Sequence, residues 1–168
     1  SVGLNLYDKE SNGFKRFFFK DTSSKHLVSQ DVKAITEDQQ GQVWFGTTNG
    51  LYCLLESRQN EYDFERIDGK AKLNLTDSNI KSILEDDQGN FWIGTFGGGI
   101  NYWDRKNETV TVYKSEKNNS NSLSHNNVRS MCLDKKGNLW AGTFDGLNFL
   151  KKGEKAFTKY TKTDLGVG

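Results

Sequence analysis

The apolar positions of this chain fall into short runs separated by polar, glycine-rich stretches, and three of the runs share one form. Val43-Trp44-Phe45-Gly46-Thr47, Phe91-Trp92-Ile93-Gly94-Thr95 and Leu139-Trp140-Ala141-Gly142-Thr143 are apolar without alternation. A strand of that kind has to be covered on both faces. Their tryptophans stand 48 residues apart, and the same step carries Leu27, Leu75 and Leu123, then Val32, Ile80 and Val128, then Ile35, Ile83 and Met131. Asp38, Asp86 and Asp134 keep it too, as do Gly41, Gly89 and Gly137 and, beyond the tryptophans, Gly46, Gly94 and Gly142. Agreement at so many positions, a rare residue among them, identifies an internal repeat. The register slips by one residue in the middle copy, which places Gly50-Leu51, Gly99-Ile100 and Gly146-Leu147 opposite one another. A partial copy, Gly3-Leu4-Asn5-Leu6-Tyr7, opens the chain.

Each copy predicts four short strands. The first covers Val32–Glu37, Ile80–Glu85 and Val128–Leu133. An Asp-x-x-Gly turn follows, in which Asp accepts from backbone N–H groups two residues on and Gly takes positive φ. The second strand is the tryptophan run. Asn49-Gly50, Gly98-Gly99 and Asp145-Gly146 then mark a tight hairpin. The third strand covers Leu51–Leu55, Ile100–Trp103 and Leu147–Leu150, and the fourth Phe64–Ile67, Val110–Tyr113 and Phe157–Tyr160. In Val110-Thr111-Val112-Tyr113 apolar and polar residues alternate, as on a partly wetted outer strand.

The fold expected is all-β: four-stranded antiparallel meanders stacked radially as β-propeller blades. A two-sheet sandwich also has closely spaced strands, but it does not repeat a four-strand unit around one fixed tryptophan. Residues 1–20 hold a half blade, and 27–67, 75–114 and 123–160 hold complete ones. The tryptophan is expected to wedge between adjacent blades, burying on the order of 200 Å². The following glycine is expected to leave room where neighbouring backbones crowd. About three and a half blades are fewer than the larger rings hold, so the chain reads as a fragment of a larger ectodomain. A repeat cannot bury its face alone, so self-association is expected.

Charge and composition narrow the function. With 23 basic and 22 acidic residues there is no electrostatic case for nucleic acid or an anionic membrane. Aromatic content of 12% sets the chain apart from disordered sequences. The sequence has neither a long apolar run nor a secretory leader pattern. Two cysteines, Cys53 and Cys132, are too few for a disulfide framework, and both read as small buried hydrophobes.

The repeat resembles the two-component regulator propeller repeat. Asn121-Ser122-Leu123-Ser124-His125-Asn126-Asn127-Val128 matches its lead-in, and Glu85-Asp86-Asp87-Gln88-Gly89-Asn90-Phe91-Trp92-Ile93-Gly94-Thr95 matches its centre. The departures fall at packing positions: Gln42 for Asn, Phe45 and Ala141 for Ile, and Leu133 for the acidic residue. The resemblance implies a seven-bladed propeller in the periplasmic sensor region of a membrane-bound hybrid histidine kinase. It implies an oligosaccharide ligand, control of polysaccharide-utilisation genes, and membrane attachment only through regions outside this chain. The Gly-His and Trp-Asp pairs of WD40 blades are missing. The Asp-x-x-Gly-x-x-Trp stretch also lacks the leading Ser of a sialidase-type Asp-box.

No catalytic residue, metal site or cofactor is read from the sequence. His26 and His125 occupy non-equivalent positions and lack zinc-site spacing. Asp38, Asp86 and Asp134 recur once per blade, which suits structure better than a single reaction centre. Gly97-Gly98-Gly99 lies in a hairpin and not before a helix, so it is no nucleotide loop. A ligand is expected on the face shared by the strand-two-to-three hairpins and the blade-to-blade connections. The candidates there are Asn49, Phe96, Phe144 and Asp145 from the hairpins and Asn121 and Asn126 from a connection. Aromatic, amide and carboxylate groups suit sugar recognition by stacking and hydrogen bonding. The plainer reading of Phe96 and Phe144 is packing between blades. The competing functions are a propeller enzyme, a lyase or glycosidase, marked by a non-repeated carboxylate cluster, and an interaction scaffold, marked by a broad apolar patch.

Overall fold

The computed structural model describes residues 4–17, 31–55, 62–68 and 73–161. His26, Leu27 and the start of the first lead-in lie outside the described residues. Fourteen strands form four antiparallel sheets, each a meander in chain order. Strands β1 (Leu4–Asp8) and β2 (Gly13–Phe17) make a two-stranded sheet. Blade one is β3 (Val32–Glu37), β4 (Val43–Thr47), β5 (Gly50–Leu55) and β6 (Asp63–Arg66). Blade two is β7 (Ile80–Glu85), β8 (Phe91–Thr95), β9 (Ile100–Asp104) and β10 (Thr109–Tyr113). Blade three is β11 (Val128–Leu133), β12 (Leu139–Thr143), β13 (Gly146–Leu150) and β14 (Phe157–Tyr160).

The turn chemistry explains the meander. Asp38 Oδ1 accepts from the N–H groups of Gln40 and Gln42, Asp86 Oδ1 from Gln88 and Asn90, and Asp134 Oδ1 from Lys136 and Asn138. Gly41, Gly89 and Gly137 follow at φ of 81°, 79° and 77°, where a side chain would be strained. At the opposite end of the blade, Thr47, Thr95 and Thr143 each donate a hydroxyl to the carbonyl of the hairpin glycine, at 2.9–3.1 Å.

Alternation along the second strand places its two faces against two different blades. Phe45 faces back, in a cluster with Tyr52 and Phe64 against which Leu4 of the two-stranded sheet packs. Trp44 faces forward, clustering with Ile80, Ile83, Phe91 and Ile93 of blade two. The next interface repeats the plan: Ile100 joins Val128, Met131, Leu139 and Ala141, with Trp92 packed beside them. Trp44 and Trp92 are wedges as expected, and Trp44 meets Phe91 edge-on at 5.0 Å, whereas Trp140 packs within its own blade.

The glycine two residues after each tryptophan has a different role from the one expected. A Cβ at Gly46 would lie 2.5 Å from Ile80 Cγ2, and one at Gly94 would lie 2.7 Å from Val128 Cγ1. The crowding comes from a side chain of the following blade and not from its backbone: glycine is a notch, and Ile80 or Val128 is the knob that fills it. A Cβ at Gly142 would meet only Ser130 of its own blade.

Arg105 closes the groove between blades one and two. Its guanidinium lies 4.8 Å from the Phe91 ring centroid and 5.2 Å from that of Trp44, and Nη1 reaches Asp38 Oδ2 at 3.1 Å and Glu85 Oε1 at 3.5 Å. The matching position in blade three is Lys152, which extends to Asp87 Oδ2 at 2.5 Å. There the groove stays open, as a cavity of about 530 Å³ between Trp92, Tyr102, Asp134 and Leu139.

Candidate functional site

The first strands β3, β7 and β11 lie side by side, and their leading ends meet the hairpins after β4, β8 and β12. Three equivalent backbone bonds fix this junction. Thr48 N–H donates to Asp31 O at 3.2 Å, Phe96 N–H to Asn79 O at 2.8 Å, and Phe144 N–H to Asn127 O at 3.0 Å. Adjacent blades are tied at the same level, because Asn126 O accepts from the N–H groups of Gly97 and Gly99. A single bridge pairs Phe96 with Asn127.

Phe96 and Phe144 point into solvent at this junction, with relative exposures of 37% and 59%. Arg129 lies over both rings, 5.7 Å from the Phe96 centroid and 4.6 Å from that of Phe144. Lys81 Nζ lies 5.2 Å over Phe96. The His125 ring tilts against Phe144 at 5.7 Å, and its Nδ1 accepts from Asn127 N–H at 2.9 Å. Lys81 is held below the usual lysine range by burial and by the charges of Lys33 and Arg129, with Asp31 opposing.

The sequence candidates separate into three environments. Phe96 and Phe144 lie on the shared strip around Arg129. Asn49 and Asp145 occupy hairpins on the same face, where their N–H groups donate to Thr47 Oγ1 and Thr143 Oγ1. Asn126 lies at the interface between blades, its Oδ1 taken by Ser115 N–H at 2.7 Å. Asn121 lines a small cavity with Tyr113, Lys155 and Phe157, beside the outer strand of blade three.

The repeated aspartates serve the fold. Asp38 Oδ2 accepts from the Trp44 indole at 2.9 Å, and Asp86 Oδ2 accepts from the Tyr102 hydroxyl at 2.9 Å. Burial opposes ionisation of Asp38, but the Trp44 indole, the Gln42 N–H and Arg105 together hold its carboxyl below the usual range. The Asn138 amide and the backbone N–H groups of Asn138 and Lys136 hold Asp134 down to about 2. Burial and the Asp86 carboxylate push the Tyr102 phenol up to about 12. Cys53 is buried as expected, whereas Cys132 is exposed. Cys132 shares the forward face of its blade with Trp140, and no further blade covers that face among the described residues. No group of three or more His, Cys, Asp or Glu side chains is placed to hold a metal among the described residues.

Two sets of residues escaped the sequence reading. Asn101 and Asn148 are fully buried and clasp the lead-ins: Asn101 Oδ1 accepts from Thr76 N–H at 3.1 Å, and Asn148 Oδ1 from Ser124 N–H at 2.8 Å. Lys33, Lys81 and Arg129 stand at the second position of each first strand, at the same 48-residue step. That recurrence of positive charge was the available signal.

Residues 26–49, 74–97 and 122–145 match the family model described as the two component regulator propeller, one match on the lead-in, first two strands and hairpin of each complete blade. The chain carries three two-component regulator propeller repeats. The regulator propeller repeats place Trp44, Trp92 and Trp140 in equivalent positions, and the junction residues Thr48, Phe96 and Phe144 directly at the end of the matched core. Among solved structures, the extracellular domain assigned to a hybrid two-component system of Bacteroides thetaiotaomicron is 24% identical, with a TM-score of 0.68. The alignment covers 83% of this chain and 19% of that one. A surface component of the type-IX secretion system of Porphyromonas gingivalis is 18% identical over 90% of this chain and 30% of its own, with a TM-score of 0.62. Virginiamycin B lyase of Staphylococcus aureus is 13% identical over 94% of this chain and 47% of its own, with a TM-score of 0.58. These likenesses show the propeller fold. The chain thus spans less than half the length of each, from 19% to 47%. No curated protein matches the chain.

Proposed function

We propose that this chain belongs to the periplasmic ligand-sensing propeller of a hybrid two-component histidine kinase. It detects a short oligosaccharide and thereby controls polysaccharide-utilisation genes. The observation that carries this reading is the coincidence of three regulator propeller repeats with solvent-facing rings at one junction, Phe96 and Phe144. Exposed rings, with His125 against Phe144 and with Asn49 and Asp145 in hairpins on the same face, offer a stacking surface and hydrogen-bonding groups of the kind sugar rings require. The extracellular placement of the Bacteroides domain supports a periplasmic location.

Isothermal titration of the chain against a panel of short oligosaccharides tests the reading. At least one should bind, and Phe144→Ala should weaken it by about tenfold, or about 1.4 kcal/mol, with an unchanged circular dichroism spectrum. A folded chain that binds none of them rejects the proposal.

A further inference from the structure

Four cations elsewhere among the described residues are held by carboxylates. Arg66 bonds Asp68 at 3.0 Å, Arg105 bonds Asp38 and Glu85, Lys151 bonds Glu154 and Lys152 bonds Asp87. Lys33 has Asp31 at 2.8 Å, but Lys81 and Arg129 have no carboxylate within ion-pair distance among the described residues. Their partners are aromatic rings. Both reach Phe96, with Lys81 Nζ at 5.2 Å and Arg129 Cζ at 5.7 Å, and Arg129 rests on Phe144 at 4.6 Å. Rings in this position fix the direction of the cations without neutralising them.

We propose that Lys81 and Arg129, flanked by Lys33, form an anion-binding strip along the inner strands, and that its ligand is an acidic saccharide, a short sugar chain bearing carboxylate or sulfate groups. This rests on the saccharide reading above and narrows it. Burial, together with the like charges of Lys33 and Arg129, holds Lys81 below the usual lysine range against the opposing pull of Asp31 and Asp77. An anion among the cations offsets their repulsion, and the guanidinium of Arg129 gives a carboxylate or sulfate a planar, two-pronged partner. The exposed part of Phe144 and the His125 ring lie beside the charged heads, where the apolar face of a sugar ring can rest. A neutral sugar would leave Lys81 and Arg129 without a paired anion.

The test is titration of the whole chain with an oligouronate, with a neutral oligosaccharide of equal length, and with inorganic sulfate. The oligouronate should bind about tenfold or more tightly than either of the others, and its binding should weaken as salt is raised. Lys81→Gln and Arg129→Gln should each lose about tenfold, with Arg129→Lys recovering part of the loss. Both side chains lie at the surface strip, and thermal melts followed by circular dichroism check that the variants fold. If the neutral sugar binds equally well and both Gln variants bind normally, the acidic-ligand inference falls while the sensor reading stands. If sulfate binds as tightly as the oligouronate, the strip holds an adventitious ion only and the inference falls. If no saccharide binds, both fall.

Discussion

At the residue scale the most informative groups are the turn aspartates. Each uses one oxygen to close its own turn, and the other to hold a neighbouring donor: the Trp44 indole, the Tyr102 hydroxyl, or the Asn138 amide. The sequence showed the turn but not the second bond, because the identity of that donor depends on which side chains the meander brings back. The bonds favour the ionised form, so Asp134 sits at about 2 when folded, against an ordinary 3.8. A folded value below the unfolded one contributes stability above the unfolded value and loses it as pH falls through the folded one. Denaturant midpoints should therefore drop between pH 4 and pH 2. Asp134→Asn keeps the oxygen that caps the turn and removes the titrating charge, so its acid limb should be shallower. An acid limb identical to that of the parent chain would show that Asp134 contributes nothing there.

At the element scale, strand identity and order were readable because both hairpin signals are local. Asp-x-x-Gly and the Asn-Gly-type pairs need only neighbouring residues to act. Strand ends differ from the expectation by a residue or so; β10, for instance, begins at Thr109. What packs against each strand was not readable, since Gly46 and Ile80 belong to different copies and nothing local links them. The notch and knob make a specific prediction. Gly94→Ala should destabilise the chain by about 1–3 kcal/mol through overpacking against Val128. Val128→Ala in the same chain should recover part of that loss. Gly142→Ala, with only Ser130 nearby, should be close to neutral. Equilibrium urea unfolding of the three variants measures this, and equal losses at Gly94 and Gly142 would show that the interface is not the cause.

At the scale of the whole molecule, the blades differ by how much of each is covered. Trp44 is 5% exposed, whereas Trp140 is only half-buried and stacks on Phe149 and Tyr160 of its own sheet. The same contrast separates Cys53 from Cys132. At the other end Phe14, Tyr7 and Leu6 are exposed on the two-stranded sheet. Apolar faces of this kind favour association, and the chain should run above its monomer mass in size-exclusion chromatography with light scattering. Trp140→Glu should lower that mass. A monodisperse monomer that unfolds in one cooperative step would refute the expectation. The periodicity made the blades and their stacking legible, but the charged strip escaped it. A lysine or arginine on a strand reads as ordinary surface until neighbouring first strands are brought together, and only then do Lys33, Lys81 and Arg129 become a row.

The notch and its knob are separated by the same length of chain at both interfaces, Gly46 with Ile80 and Gly94 with Val128. Each repeat therefore carries one half of the lock at its leading strand and the other half one strand later. A duplicated copy inserted in register would arrive with both halves and would dock on its predecessor and receive its successor without any new complementary surface. For such a gene, adding or deleting a unit is a change of count and not of chemistry. Selection on ring size can then act through the angle between units alone, while sequence drift is left free at the exposed junction around Phe96 and Phe144.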